Sequence, residues 1–267
     1  ILQIGTQEEL IQTLLYLNGA GATVLSQDHC FPWGNKAGVN GATAVFVIAN
    51  GFGQPVVVRG CATKSILEAS ELVKFAYDST AGLVRYWFTD YGKNDESTIR
   101  EVSKDVKILE DIFHIIQKLN DCVAKTSPFR QEWERVVTAA FFTFDEDCVR
   151  EFLRKHANDP AVAELCKDPS YLKKQRSIKK SVKQPGEIID CLDKCLGYFI
   201  RNKCFGSGGD GSIIIDVHQS LDRALRYCDY PNDFEWYVQV ETANSVLYFT
   251  LRGTNSVENF NRLISQS

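Results

Sequence analysis

Asp28, His29 and Cys30 are the residues of this chain whose types and spacing come closest to a catalytic site. A histidine beside a cysteine can activate the thiol as a nucleophile, and an aspartate can orient the histidine. The four histidines are isolated from one another in sequence, and no partner motif accompanies this triplet. A Cys/His-dependent hydrolase or transferase stays an alternative, and the sequence identifies no catalytic residue.

Two further segments could bind phosphate. Residues 206–211 (GSGGDG) could present backbone amides to an anion, but they lack the Gly-Lys-Ser/Thr ending of a P-loop, so a flexible turn is favoured. A dense basic run begins at Lys173 and ends at Lys183 (KKQRSIKKSVK). A solvated connector is the favoured interpretation of this run, and a nucleotide-binding or RNA-binding surface is the alternative.

The nine cysteines do not indicate a metal centre. They are scattered, without a Cys-x-x-Cys pair or the histidine spacing of a zinc finger. Cys191 and Cys195 are four residues apart and could share one face of a helix. Buried free thiols are therefore expected, with no metal site and no required cofactor.

The composition is typical of a globular protein with a substantial core. Of its 267 residues, 44% are hydrophobic and 24% are charged, and the formal net charge is -4. That balance supplies no general attraction to nucleic acid, and no apolar run reaches the length of a membrane span. We expect one intracellular domain over residues 1–267, with no membrane partner and no specific nucleic-acid partner.

The chain begins with the pattern of an amphipathic helix. Thr6 and Glu9 have the spacing of a capping box, and Leu10, Leu14 and Leu17 follow on one broad apolar face. Two glycines end the pattern shortly afterwards. Residues 1–20 are therefore predicted to form an N-terminal helical arm.

The remaining elements alternate irregularly. Hairpins are predicted for residues 42–50 with 55–59 and for 234–241 with 246–251, single strands for 83–89 and 136–144, and helices for 65–77, 97–124 and, capped by Asp145, 146–156. Residues 187–201 fit a helix or a strand. Without regular β-α-β alternation, the expected fold is α+β, mainly an antiparallel β-sandwich decorated with helices and with a projecting N-terminal helix.

Residues 216–229 (DVHQSLDRALRYCD) form a short amphipathic helix by their spacing, with Leu221, Ala224, Leu225 and Cys228 on the apolar face. This segment, between a glycine-rich loop and an aromatic hairpin, resembles the C-terminal segment of cypovirus polyhedrins. The order of elements on its N-terminal side is also similar to that family.

The resemblance implies a structural protein of viral occlusion bodies, with no enzymatic activity. Such proteins form homotrimers that pack into a cubic lattice in the host cytoplasm, embed cypovirus virions and dissolve in the alkaline insect gut. Some members hold nucleotides between subunits. The helical arm with Leu10, Leu14 and Leu17 would bind a neighbouring molecule, and the assembly contacts on the C-terminal helix would come from Asp216, Gln219, Asp222 and Arg226.

Overall fold

The computed structural model describes residues 23–30, 44–51, 53–63, 65–202, 204, 211–231, 237–241 and 246–250. The chain divides into two compact units, the first reaching to Asp111 and the second covering Ile112–Thr250. Over the described residues the fold is mixed, with one five-stranded mixed sheet and nine α-helices. The expected combination of helices and strands is confirmed, and the single-domain organisation stays a prediction.

The first unit is built on the five-stranded sheet, whose order is β3-β2-β1-β4-β5. Strand β2 is antiparallel to both of its neighbours, whereas β4 is parallel to β1 and β5 is parallel to β4. The strands are β1 (Val24–Cys30), β2 (Ala44–Asn50), β3 (Pro55–Cys61), β4 (Tyr86–Thr89) and β5 (Lys107–Glu110). The predicted hairpin of β2 and β3 is confirmed.

Three helical segments accompany this sheet. A 3₁₀ helix (Ile66–Ala69) leads into α1 (Ser70–Ser79), which confirms the helix predicted for residues 65–77. Helix α2 (Gly92–Val102) connects β4 to its parallel neighbour β5 and completes a β-α-β unit. One such unit does not amount to the regular β-α-β alternation whose absence the sequence predicts.

The prediction of one helix over residues 97–124 is wrong in its middle, where the chain forms strand β5. A parallel strand that is covered on both faces has an unbroken run of apolar residues. Over a few positions such a run also contains the i, i+3 and i+4 spacing of a helix, so the sequence pattern does not separate the two. Ile108 and Leu109 are both buried in β5. The helix ends before them because the Arg100 guanidinium donates to the carbonyl oxygens of Lys104 and Val106 at 2.7 and 2.6 Å, which holds the turn.

The core of the first unit lies on both sides of β2 and its neighbours. All seven residues of β2 are buried, and the largest enclosed side chains in this region include Phe46, Trp87 and Phe88. The described strands outside this sheet form only two-stranded pairs. A β-sandwich is therefore not confirmed.

The second unit is mainly helical. Its helices are α3 (Ile112–Asp121), α4 (Arg130–Phe141), α5 (Glu146–Lys155), α6 (Pro160–Leu165), α7 (Pro169–Lys174), α8 (Pro185–Arg201) and α9 (Gly211–Tyr227). Strands β6 (Phe142–Phe144) and β7 (Lys180–Val182) pair antiparallel, and β8 (Tyr237–Glu241) with β9 (Val246–Thr250) confirms the predicted C-terminal hairpin. None of the helices that the structure describes has both the length and the apolar character needed to cross a bilayer.

Side-chain caps explain several of these boundaries. Asp145 accepts a hydrogen bond from the backbone of Cys148 and begins α5, as predicted. Gln184 and Glu187 form a capping box at the start of α8, so the ambiguous segment 187–201 is a helix.

The strand predicted for 136–144 is wrong except at β6, because most of this apolar segment is the buried helix α4.

Candidate functional site

Two aspartates lie just beyond the paired part of the neighbouring parallel strands β1 and β4. In the register of β1 and β4, Ser26 pairs with Phe88. The ladder ends at this pair, and the next residue on each chain still makes contact, since the Gln27 side-chain amide lies 3.5 Å from the Thr89 hydroxyl. Extending the register by one more residue sets Asp28 opposite Asp90, at the usual strand spacing of about 4.8 Å. Both are partly exposed. A pair of carboxylates thus lies toward the carboxyl ends of two central strands of the sheet.

A third aspartate continues this row. Thr89 pairs with Glu110 in the register of β4 and β5, and the amide of Asp111 donates to the Thr89 carbonyl at 3.2 Å. Asp111 therefore follows β5 as Asp90 follows β4, although Asp111 is buried. Binding and catalytic groups of sheets with parallel strands collect at this edge. We call Asp28, Asp90 and Asp111 the carboxylate row.

The loop that carries Asp90 is tied down on both sides. The amide of Tyr91 donates to the Thr89 hydroxyl at 3.2 Å, and the amide of Gly92 donates to the Glu110 carboxylate at 2.9 Å. Tyr91 itself is half-exposed. The turn from β4 into α2 is therefore fixed by the ends of β4 and β5, with Asp90 at its start.

Beneath the carboxylate row lies a buried polar network. The side-chain oxygen of Gln27 (Oε1) accepts a hydrogen bond from the Trp87 indole at 2.8 Å. The side-chain nitrogen of Gln27 (Nε2) donates to Asp95 Oδ2 at 2.9 Å. The Thr89 hydroxyl donates to the same Asp95 oxygen. All four side chains are buried, so the network joins β1, β4 and α2 inside the core.

Burial raises the pKa of the Asp95 carboxyl above its ordinary value of 3.8, and the hydrogen bonds from Thr89 and Gln27 oppose that rise. A carboxyl whose pKa is higher in the folded state binds its proton more tightly there. Its contribution to stability is therefore complete below the unfolded pKa and is lost as pH rises through the folded pKa.

Asp95→Asn is expected to remove this pH dependence. The native chain should lose some of its free energy of unfolding as pH rises above the ordinary aspartate pKa of 3.8, and the variant should lose less, since asparagine does not titrate. Urea unfolding followed by circular dichroism at several pH values measures the difference. Equal slopes for both proteins would contradict the assignment, and Asp78→Asn on the exposed side of α1 is the matched control.

Carboxylate oxygens are the ligands that Mg²⁺ prefers. Within the described ranges, no three or more His, Cys, Asp or Glu side chains are arranged to hold a metal ion. Asp28 and Asp90 are a smaller set, and Mg²⁺ is commonly bound by one or two carboxylates together with water and substrate phosphates. The pair fits an ion of that kind better than it fits zinc, whose protein sites usually include histidine or cysteine ligands.

No family model, curated protein or solved structure matches this chain. The resemblance to polyhedrins therefore stays a prediction. What the chain does must be argued from the geometry of its own residues.

Of the predicted Cys/His pair, the structure describes the histidine. His29 packs its ring against Phe46 at a centroid distance of 4.7 Å, and its amide donates to the Asp28 carboxylate at 2.6 Å. The side chain of Cys30 lies outside the described residues. The thiol-dependent hydrolase or transferase therefore stays a prediction.

The basic run connects α7 to β7 with Lys174 and Arg176 exposed, while three of its lysines also make contacts within the second unit. The Lys173 ammonium lies 5.9 Å from the Phe113 ring and 5.8 Å from the Phe142 ring. The ammonium of Lys180 donates to the Lys173 carbonyl at 2.5 Å, and that of Lys183 donates to the carbonyl of Ala139 in the last turn of α4 at 2.7 Å. Three of its cations thus stabilise the second unit, which weakens the case for an RNA-binding surface.

The predicted assembly residues are only partly described. Leu10, Leu14 and Leu17 lie outside the described residues, as does the side chain of Asp216. Gln219, Asp222 and Arg226 are exposed on α9, as a contact surface requires. Residues 206–210 of the glycine-rich loop are also outside, and Gly211 begins α9.

The apolar face of α9 differs from the prediction at one position. Leu221, Ala224 and Cys228 are buried, but Leu225 is 48% exposed. Val217 is buried one turn before Leu221, so the stripe is narrower than the sequence suggested and lies against α3 and α8.

Proposed function

We propose that the first unit is a metal-dependent phosphoryl-transfer centre that cleaves or transfers phosphodiester strands of nucleic acid, as nucleases and strand transferases do. The observation that supports it is the parallel pairing of β1 with β4, whose register, extended two residues beyond Ser26 and Phe88, sets Asp28 opposite Asp90. This proposal departs from the expectation of a protein that is not an enzyme and binds no specific nucleic acid.

Asp28 and Asp90 are the residues that would hold a divalent cation such as Mg²⁺. When bound, the ion supplies positive charge that stabilises the attacking and leaving oxygens of a phosphoryl group. The two side chains are partly exposed, so their oxygens can reach an ion and a substrate together. Asp111, which is buried beside them, adds negative charge to the row and favours cation binding.

The surroundings of Asp90 favour a nucleic acid over a small phosphate ester. Tyr91 presents a half-exposed aromatic ring, and base stacking on such rings is tolerant of sequence. Lys93, in the first turn of α2, is exposed and can contact a backbone phosphate. The overall charge of -4 gives little attraction to nucleic acid, so these local groups and the bound cation would supply it.

A cleavage assay tests the proposal. Purified full chain is incubated with labelled single-stranded and double-stranded DNA and RNA, with Mg²⁺, Mn²⁺ or a chelator. We expect cleavage or strand joining with either metal and none with the chelator. Metal-independent turnover, or no turnover on any of the four substrates, would contradict it.

The occlusion-body function is the second candidate. The observation that favours it is the exposed polar face of α9, where Gln219, Asp222 and Arg226 are open to contacts with another molecule. It is weakened by the mixed sheet of the first unit, since the resemblance implies an antiparallel sandwich.

Expression in insect cells separates the two candidates. A lattice-forming protein should produce cytoplasmic microcrystals that survive neutral pH and dissolve above about pH 10, where tyrosines ionise. Light microscopy and release of soluble protein across an alkaline titration measure both properties. A uniformly soluble product would contradict the occlusion-body function and leave the cleavage assay as the deciding measurement.

A further inference from the structure

One oxygen atom connects the residues that immediately precede the two exposed aspartates of the carboxylate row. Gln27 precedes Asp28 on β1, and Thr89 precedes Asp90 on β4. Asp95 Oδ2 accepts from the Gln27 amide at 2.9 Å and from the Thr89 hydroxyl. Strands β1 and β4 are thus held, one residue before each aspartate, to a single atom of α2.

We propose that Asp95 is a positioning residue for the carboxylate row, and we call its two hydrogen bonds the Asp95 clamp. This inference rests on the proposed function and deepens it. Side chains of consecutive strand residues point to opposite faces of the sheet. The hydrogen bond made by the Gln27 side chain therefore fixes the backbone that carries Asp28, while the Asp28 side chain projects from the other face. Thr89 does the same for Asp90.

The Gln27 amide is oriented from its other end. Its carbonyl oxygen accepts from the Trp87 indole, which can only donate, so the amide nitrogen must be the atom that faces Asp95. Trp87 is fully buried and cannot move aside. The clamp therefore has one arrangement of donors and acceptors.

The start of α2 is held as firmly as the strands. The Asp95 amide donates to the Tyr91 carbonyl at 3.0 Å, and the Gly92 amide donates to Glu110 at 2.9 Å. The helix turn that carries Asp95 is therefore anchored to the end of β5. A rigid helix can transmit this anchoring to both strands, which is how supporting residues hold a site in its productive geometry.

Two substitutions separate positioning from folding. Asp95→Asn keeps an oxygen that can accept both hydrogen bonds, whereas Asp95→Leu keeps a side chain of similar size that can accept neither. Glu71→Leu, at an exposed position of α1, makes the same change of charge and type away from the clamp. Only variants whose circular dichroism matches the native chain are compared, and Asp95→Ala replaces Asp95→Leu if the leucine variant does not fold.

Hydrogen exchange followed by mass spectrometry and Mg²⁺ titration calorimetry are the two measurements. Without the clamp we expect faster amide exchange in residues 26–29 and 88–91, with unchanged exchange in β3. We also expect Mg²⁺ affinity to fall by about 10-fold or more, the usual effect of losing a residue that orients metal ligands. Asp95→Asn and Glu71→Leu should stay close to the native chain in both measurements.

The outcomes are distinguishable. Native exchange at both strand ends in the leucine or alanine variant overturns the clamp, whether or not Mg²⁺ binds. Faster exchange throughout the first unit, β3 included, also overturns it, because Asp95 would then be a general core residue. A native chain that binds no Mg²⁺ contradicts the proposed function, and the exchange data still decide the clamp.

Discussion

Asp90→Asn is expected to reduce metal-dependent strand cleavage by about 100-fold or more, the effect of removing one preorganised charge from a catalytic centre. Asparagine has nearly the shape of aspartate, so the turn after β4 should keep its structure while the site loses one of its two partly exposed carboxylates. Asp28→Asn should have the same effect, because under the proposed function both carboxylates hold the same ion.

The measurement is the initial rate of cleavage of one oligonucleotide at saturating Mn²⁺, with thermal unfolding recorded for each variant. Asp78→Asn changes charge equally on the exposed side of α1 and should keep the native rate. Full activity in Asp28→Asn and Asp90→Asn together would remove the pair from the reaction. A loss in Asp78→Asn would point to a general effect of charge.

Local patterns predicted the elements that local interactions decide. The β2–β3 hairpin, the helix over α1 and the cap at Asp145 each depend on residues within a few positions of one another. The C-terminal hairpin of β8 and β9 belongs to the same class. Their signals, alternation and capping, survive in any tertiary context.

Strand β1 was not predicted, and its polar residues are the reason. Ser26 and Gln27 are buried in the middle of V-L-S-Q-D-H-C, which breaks the apolar run that marks a central strand. Gln27 is tolerated because its amide is hydrogen-bonded to Trp87 and Asp95, residues that are distant in sequence. Such a strand can be recognised only when its partners are known.

The carboxylate row was missed for a related reason. The pairing of β1 with β4, extended beyond Ser26 and Phe88, sets Asp28 opposite Asp90, and nothing in their spacing along the chain shows it. The available signal was the aspartate directly after the apolar strand around Trp87 and Phe88, which marks the carboxyl end of a strand. With β1 unrecognised, that aspartate had no visible partner.

In the second unit, Trp133 lies on α4, the helix whose second half was predicted as a strand. It is fully buried on α4, its indole donates to the Leu119 carbonyl at 2.8 Å, and its ring meets Phe199 edge-on at 5.1 Å. The Leu119 carbonyl lies in the last turn of α3, where it also accepts a hydrogen bond from the Cys122 amide at 3.3 Å. One side chain therefore joins α3, α4 and α8.

Trp133→Ala is expected to cost about 3–5 kcal/mol of the free energy of unfolding, through the lost burial and the cavity left among three helices. Trp133→Phe keeps most of the ring and removes the indole hydrogen bond, but the Leu119 carbonyl keeps the Cys122 amide as a donor, so about 0.5–1.5 kcal/mol should be lost. Urea unfolding followed by circular dichroism gives both values. Tyr198→Ala, which removes a half-exposed aromatic ring from α8, should cost much less. Equal costs at positions 133 and 198 would contradict the view that α4 organises this unit through Trp133.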